Sequence, residues 1–156
     1  MHMVGIHMGQ PGRFTSDIDV WLDGSDFDRA DLARACAEAG IAFDPKGHVV
    51  SDKVYLKIVR KGVVDIGGFA DDDKIKMFRT GNLTVSRPPV GNIVASKLLR
   101  ASEKDIEDIV FLMAATDTRV DSVARAIGTL GERHRETAAE NLALVELLLE
   151  DGPCPR

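Results

Sequence analysis

The stretch Gly12-Arg13-Phe14-Thr15-Ser16-Asp17-Ile18-Asp19-Val20-Trp21-Leu22 decides how this chain reads. Ile18, Val20 and Leu22 alternate with Asp17, Asp19 and Trp21, the period of two that belongs to a strand. Residues two apart on a strand share a face, with backbone positions about 7 Å apart. Two carboxylates so placed can lean together around one or two Mg2+ ions, hard cations that prefer carboxylate and phosphate oxygens. Metals bridged by carboxylates are the means of activating a hydroxyl against a phosphate. Just before the pair, residues 12–16 form a short element with an arginine and two hydroxyls.

The setting of the pair separates it from others of the same spacing. Asp26/Asp28, Asp71/Asp73, Glu103/Asp105 and Asp105/Glu107 read as solvated helix or loop surface. Asp17 and Asp19 stand instead among apolar strand residues, where an unpaired charge is costly. Beyond them, Ser25 is a good N-cap for a helix from about Asp26, and Gly40 supplies its stop. Val54–Val59 is rich in strand formers. Lys61-Gly62 then turns the chain, and Val63–Ile66 reads as the returning arm of a hairpin that carries a third carboxylate, Asp65. Three strand-borne carboxylates that can meet at one point make a candidate site; the alternative is that each pairs with a nearby lysine or arginine.

A polar stretch begins at Asp71-Asp72-Asp73, and Leu83-Thr84-Val85 reads as one more short strand. From Pro88-Pro89 onward the pattern is helical. Ile93, Val94, Ala95, Leu98 and Leu99 mark one helix, and Ile106, Ile109, Val110 and Met113 a second, with Ser102 and Asp105 in capping-box relation between them. Two further helices cover roughly 121–130 and 136–150. The expected class is therefore α+β: a small mixed sheet with flanking helices and a C-terminal helical bundle. The sheet region is expected over 1–87 and the helical region over 88–156, packed on it as one compact domain.

Length and composition agree. The 156 residues are 44% apolar and 29% charged, enough for one domain with its own core. The net charge of −5 argues against a chain that coats nucleic acid, and leaves room for a local basic surface. Cys36 and Cys154 lie far apart without metal-ligand spacing, which favours free thiols. No apolar run approaches a membrane span, and the first thirteen residues lack the hydrophobic core of a signal peptide, so a soluble cytoplasmic protein is expected. His2 and His7 read as exposed, and His48 and His134 as surface residues. Trp21 and Tyr55 read as lining sheet faces. Leu142, Val145, Leu148 and Leu149 form an apolar stripe suited to the sheet or to a partner. Lys97 and Asp108 would share a face of an unbroken helix, but the cap at Ser102 argues for two helices.

The string Gly12-Arg13-Phe14-Thr15-Ser16-Asp17-Ile18-Asp19-Val20 resembles the Arg-x-Thr-x-Asp-hydrophobic-Asp core of the minimal nucleotidyltransferases, a polymerase-β-like superfamily, in its toxin and abortive-infection branch. Later segments are similar to that branch in the same order. Ala95-Ser96-Lys97-Leu98-Leu99 resembles its lysine segment, and Lys104-Asp105-Ile106-Glu107-Asp108 its basic-Asp-x-x-Asp element. Asp65 falls where the third metal carboxylate of the superfamily would stand. The likeness spans residues from about 5 to 115 and leaves the last two helices uncovered. Where the family has Gly-Gly or Gly-Ser, this chain has Gly5-Ile6. Either Ile6 crowds the triphosphate or the glycine pair belongs upstream.

The resemblance implies transfer of a nucleoside monophosphate from an NTP to an acceptor, with Mg2+ (or Mn2+) as cofactor. It assigns Asp17, Asp19 and Asp65 to the metals. Lys97 and Asp108 join them as catalytic residues, and Gly5, Arg13, Thr15, Ser16 and Lys104 as nucleotide-binding ones. The acceptor would be a tRNA, a protein or a small molecule. The alternative is a catalytically degenerate interaction module of the same fold, such as a toxin–antitoxin component with a cognate partner.

Overall fold

The computed structural model describes residues 17–21, 28–46, 54–60, 62–80 and 83–150. The expected sites Gly5, Arg13, Thr15 and Ser16 lie outside them, as do His2, His7, His48, Cys154 and the expected cap Ser25. The architecture is α+β, and the chain divides into two compact units, Met1–Val64 and Asp65–Arg156. The division falls at Val64/Asp65, whereas the sequence changes character at Arg87/Pro88. Residues 65–87 belong to the helical unit because they build its own two-stranded ribbon.

The first unit contains β1 (Asp17–Val20), α1 (Arg29–Glu38), β2 (Ala42–Phe43) and β3 (Tyr55–Ile58). Its sheet is parallel, in the order β1-β3-β2. The register sets Asp17 opposite Tyr55 and Asp19 opposite Lys57. The expected hairpin between Val54–Val59 and Val63–Ile66 does not form. Among the described residues β3 pairs with β1 along its whole length and with β2 at Tyr55 and Leu56, both parallel, and no pairing joins it to residues 63–66. The turn itself is real: Gly62 takes φ +87°, and the Val63 N–H donates to the Arg60 carbonyl at 3.1 Å.

Asp28 caps α1, its carboxylate accepting from the N–H groups of Ala30 at 2.6 Å and Asp31 at 3.1 Å. The C-terminus stops at Gly40 as expected, with φ +70°. There the Ile41 N–H reaches the Cys36 carbonyl at 2.8 Å and the Gly40 N–H reaches Ala37 at 3.1 Å, a Schellman closure. The buried Cys36 thiol has its pKa pushed up by desolvation, which keeps it neutral and inert.

The second unit opens with a 3-10 turn (Asp71–Asp73) and the antiparallel pair β4 (Ile75–Thr80) and β5 (Leu83–Arg87). Four helices follow: α2 (Val90–Leu98), α3 (Glu103–Thr116), α4 (Val120–Gly128) and α5 (Glu132–Glu150). The central one is α2, packed against the other three, with Val94, Ala95 and Leu98 sealed from solvent. Ile109, Leu112, Val123, Leu130 and Val145 close the core around it. Gly91 allows α4 to approach: a Cβ there would lie 2.9 Å from the Ser122 carbonyl oxygen. On α5, Ala138, Leu142 and Val145 face inward at i, i+4 and i+7. Leu148, placed on that stripe by its spacing, is half exposed together with Leu144 and Leu147.

Gly67 has φ +67°, and a Cβ on it would run into the Thr129 side chain and lie 3.2 Å from the Ala126 carbonyl. Gly67→Ala should therefore cost about 2–3 kcal/mol in urea unfolding, backbone strain and overlap together. Gly128, at the end of α4 with open space around its Cβ position, should gain about 0.5–1 kcal/mol as Ala. Changes of the same sign at both sites would refute the close packing at Gly67.

Candidate functional site

On β1, Asp19 is half exposed, and its Oδ1 lies 3.1 Å from the Lys57 Nζ on the neighbouring strand. The pair follows from the register, which sets the two residues directly opposite. Asp17 occupies the position two residues before, opposite Tyr55. The first unit thus places the two acidic positions on one short strand, an outer one of the parallel sheet among the described residues. An accessible carboxylate is a donor that suits a hard divalent ion, and Lys57 is the charge such an ion would displace.

In the second unit, Lys97 is not a solvated surface lysine. Its ammonium lies 3.2 Å from Asp105 Oδ1 and 2.9 Å from Asp108 Oδ2, between two buried carboxylates of α3. Arg100 adds a two-pronged contact to Asp105, with Nε and Nη2 each at 2.6 Å. Ser102 completes the cluster: its hydroxyl donates to Asp105 Oδ2 at 2.5 Å and accepts from the Asp105 N–H at 3.3 Å. The capping box read from the sequence therefore exists, and it separates two helices as expected. Lys97 and Asp108 still meet, because Ala101 takes the left-handed conformation (φ 44°) and the turn folds α3 back across α2. Lys104 stands exposed in the first turn of α3.

The Arg100 guanidinium holds the Asp105 carboxyl far below the usual carboxylate range. Burial opposes that shift, while Ser102 and Lys97 reinforce it. These side chains tie the last turn of α2 to the first turn of α3.

Asp65 is not on a sheet strand; it follows Val64 in an extended connection that opens the helical unit. Its Oδ1 accepts from the Gly67 N–H at 3.0 Å. Its Oδ2 accepts from the Gly131 N–H at 2.8 Å and pairs with His134 Nδ1 at 2.8 Å. Burial raises the Asp65 pKa, but the hydrogen bonds from His134, Gly131 and Gly67 outweigh it and the net direction is down. His134, read as a surface residue, is half-buried and closes this clasp. No local pattern could have found it, since the two residues lie 69 positions apart.

Among the described residues no group of three or more His, Cys, Asp or Glu is placed to hold a metal ion. Two shallow clefts of about 440 and 430 Å³ in the helical unit are lined by none of Asp65, Lys97, Lys104 or Asp108. No helix of the described residues is long and apolar enough to cross a membrane. No family model, curated protein or solved structure matches the chain.

The lowered pKa values of Asp105 and Asp65 give the acid response its sign. A carboxyl whose folded pKa is depressed contributes stability above its unfolded value, near 3.9, and loses it as pH falls toward the folded value. Unfolding free energy should therefore decline as pH drops below about 4. Asp105→Asn should cost about 3–5 kcal/mol at pH 7, because it removes the carboxylate that Arg100, Ser102 and Lys97 share and leaves Lys97 with Asp108 alone. The penalty should shrink at pH 3, with a shallower acid slope in urea titrations. Equal slopes for the variant and the parent would contradict this assignment.

Proposed function

We propose that the chain is a Mg2+-dependent nucleotidyltransferase that moves a nucleoside monophosphate from an NTP to an acceptor hydroxyl. The observation that carries the reading is the Asp17-Ile18-Asp19 pair on β1, an outer strand of the parallel sheet among the described residues, with Asp19 half exposed. Its support from sequence is the preceding Arg13-Phe14-Thr15-Ser16 and the similarity of the whole string to minimal nucleotidyltransferases. In this reading Asp17 and Asp19 hold the divalent ion, which when bound supplies charge neutralisation on the triphosphate. Arg13, with Thr15 or Ser16, binds phosphate oxygens, where developing charge rewards fixed donors. The acceptor oxygen attacks the α-phosphorus, the bond to the β-phosphate oxygen breaks and pyrophosphate leaves. The hydroxyl proton passes to a carboxylate of the pair or to water.

Lys97, Asp108 and Asp65 take supporting parts in this reading. The Lys97 ammonium is already shared by two carboxylates, and Asp65 accepts three hydrogen bonds inside the helical unit. The second reading, a catalytically degenerate interaction module, is favoured by the Lys57 ammonium seated on Asp19.

Incubation with labelled NTPs and a cell extract as acceptor source should give labelling that requires Mg2+ or Mn2+. Asp17→Ala should reduce it about a hundredfold or more, equivalent to about 3 kcal/mol of lost transition-state stabilisation. Millimolar Mg2+ should raise the melting temperature of the parent and do less for Asp19→Asn. If none of the four NTPs gives metal-dependent labelling, and a pull-down recovers one stoichiometric protein, the interaction-module reading replaces the enzyme.

A further inference from the structure

The β4–β5 ribbon carries a charge pattern unlike the rest of this acidic chain. Residues 74–87 include Lys74, Lys76, Arg79 and Arg87 and no Asp or Glu. Lys76 and Arg79 are three residues apart, so in a regular strand they would point to opposite faces. A register shift between Lys76 and Phe78 removes that difference. Lys76 pairs with Ser86 and Arg79 with Thr84, and Ser86 and Thr84 are themselves two apart on β5. The bulge therefore gathers Lys76, Arg79, Thr84 and Ser86 on one face, and all four are exposed. Among the described residues neither cation has a carboxylate within ion-pair distance.

The remaining charges of the segment are held elsewhere. Lys74 pairs with Asp71 at 2.8 Å, and Asp73 turns back to the Ala70 N–H at 3.1 Å. Arg87, opposite Ile75, belongs to the other face and donates from Nη1 to the Pro88 carbonyl at 3.0 Å. Among the described residues no helix packs broadly over the ribbon.

The geometry points to this face as a docking surface for the phosphodiester backbone of a double-stranded nucleic acid, with the ribbon seated in the DNA major groove. Two cations flanked by two hydroxyls are the donor set that contacts phosphates and sugars. A two-stranded ribbon matches the width of the B-form major groove, whereas the A-form groove is too narrow. Single-strand binding calls for aromatic platforms, and an anionic membrane surface for apolar anchors; Lys76, Arg79, Thr84 and Ser86 include neither. The acidic balance of the chain argues against coating of nucleic acid and leaves room for this local contact. The surface does not rest on nucleotidyl transfer, and its test omits both NTP and metal.

The full chain is titrated into a fluorescent 20-base-pair DNA duplex, a matched RNA stem and a single strand, over about 20–100 mM salt, with anionic phosphatidylserine vesicles in parallel. Two phosphate contacts predict a slope of about −1.8 in log K against log salt, about a 20-fold loss over that range. Lys76→Ala and Arg79→Ala should each flatten the slope by about 0.9. The double variant should abolish duplex binding, while Arg133→Ala on α5 leaves it intact. Parent-like binding by the double variant would overturn the proposal, as would equal loss in Arg133→Ala. Tighter binding to the RNA stem, the single strand or the vesicles than to the duplex would overturn the groove assignment.

Discussion

The helical unit depends on the buried charge cluster in which Asp105 is the common partner. One carboxylate caps α3 through Ser102, receives Arg100 from the chain entering the turn, and shares Lys97 with Asp108. Burying ions costs several kcal/mol each, and the cost is offset only where geometry and further hydrogen bonds are good. That demand fixes where α3 can start and how it crosses α2. Because α2 is the core helix, the same constraint reaches the others. Asn141 of α5 donates to the last-turn carbonyl of Leu98 at 2.7 Å, tying α5 to the end of α2. Asn92 of α2 donates to Ile66 at 2.8 Å, tying the entering chain to its start.

What could be read from the sequence was what local chemistry determines. Ser102 with Asp105, Gly40 after α1 and the alternation at Asp17–Val20 each carry their reason within a few residues. The strand at Val54–Val59 was legible, but its partner was not: a β-rich run followed by Gly62 fits a hairpin equally well, and only the pairing of β1 and β2 decides. The β4 strand is masked in the sequence by the acidic run before it, although Gly81-Asn82 between two β-rich segments is a hairpin signal. Asp28, read as half of an acidic surface pair, displaced Ser25 as the cap.

The candidate site was legible in a similar way. An acidic pair on an apolar strand stands out because it is costly, and β1 places both positions where the pattern set them. Asp65 stood out for the same reason, and Lys97 and Asp108 through the resemblance alone, yet the charges of all three are met by partners elsewhere in the chain. Lys97 reaches across a turn to Asp108, eleven residues away, and Asp65 reaches His134. A buried charge announces that a partner exists; it does not name the partner.

The clasp at Asp65 also bears on the order in which the helical unit assembles. Its bond to Gly131 spans 66 residues, while the Lys97 contacts span only eight and eleven. Closing a free loop of that length costs about 4 kcal/mol in chain entropy, against about 2 for the short ones. The ribbon and α2–α4 all lie inside the loop, and each element that forms shortens the chain still to be closed. The α2–α3 pair is therefore the cheap nucleus and the clasp a late event. A carboxylate at the unit's entrance thus becomes the seal on its folding, set only after the helices it joins have found one another.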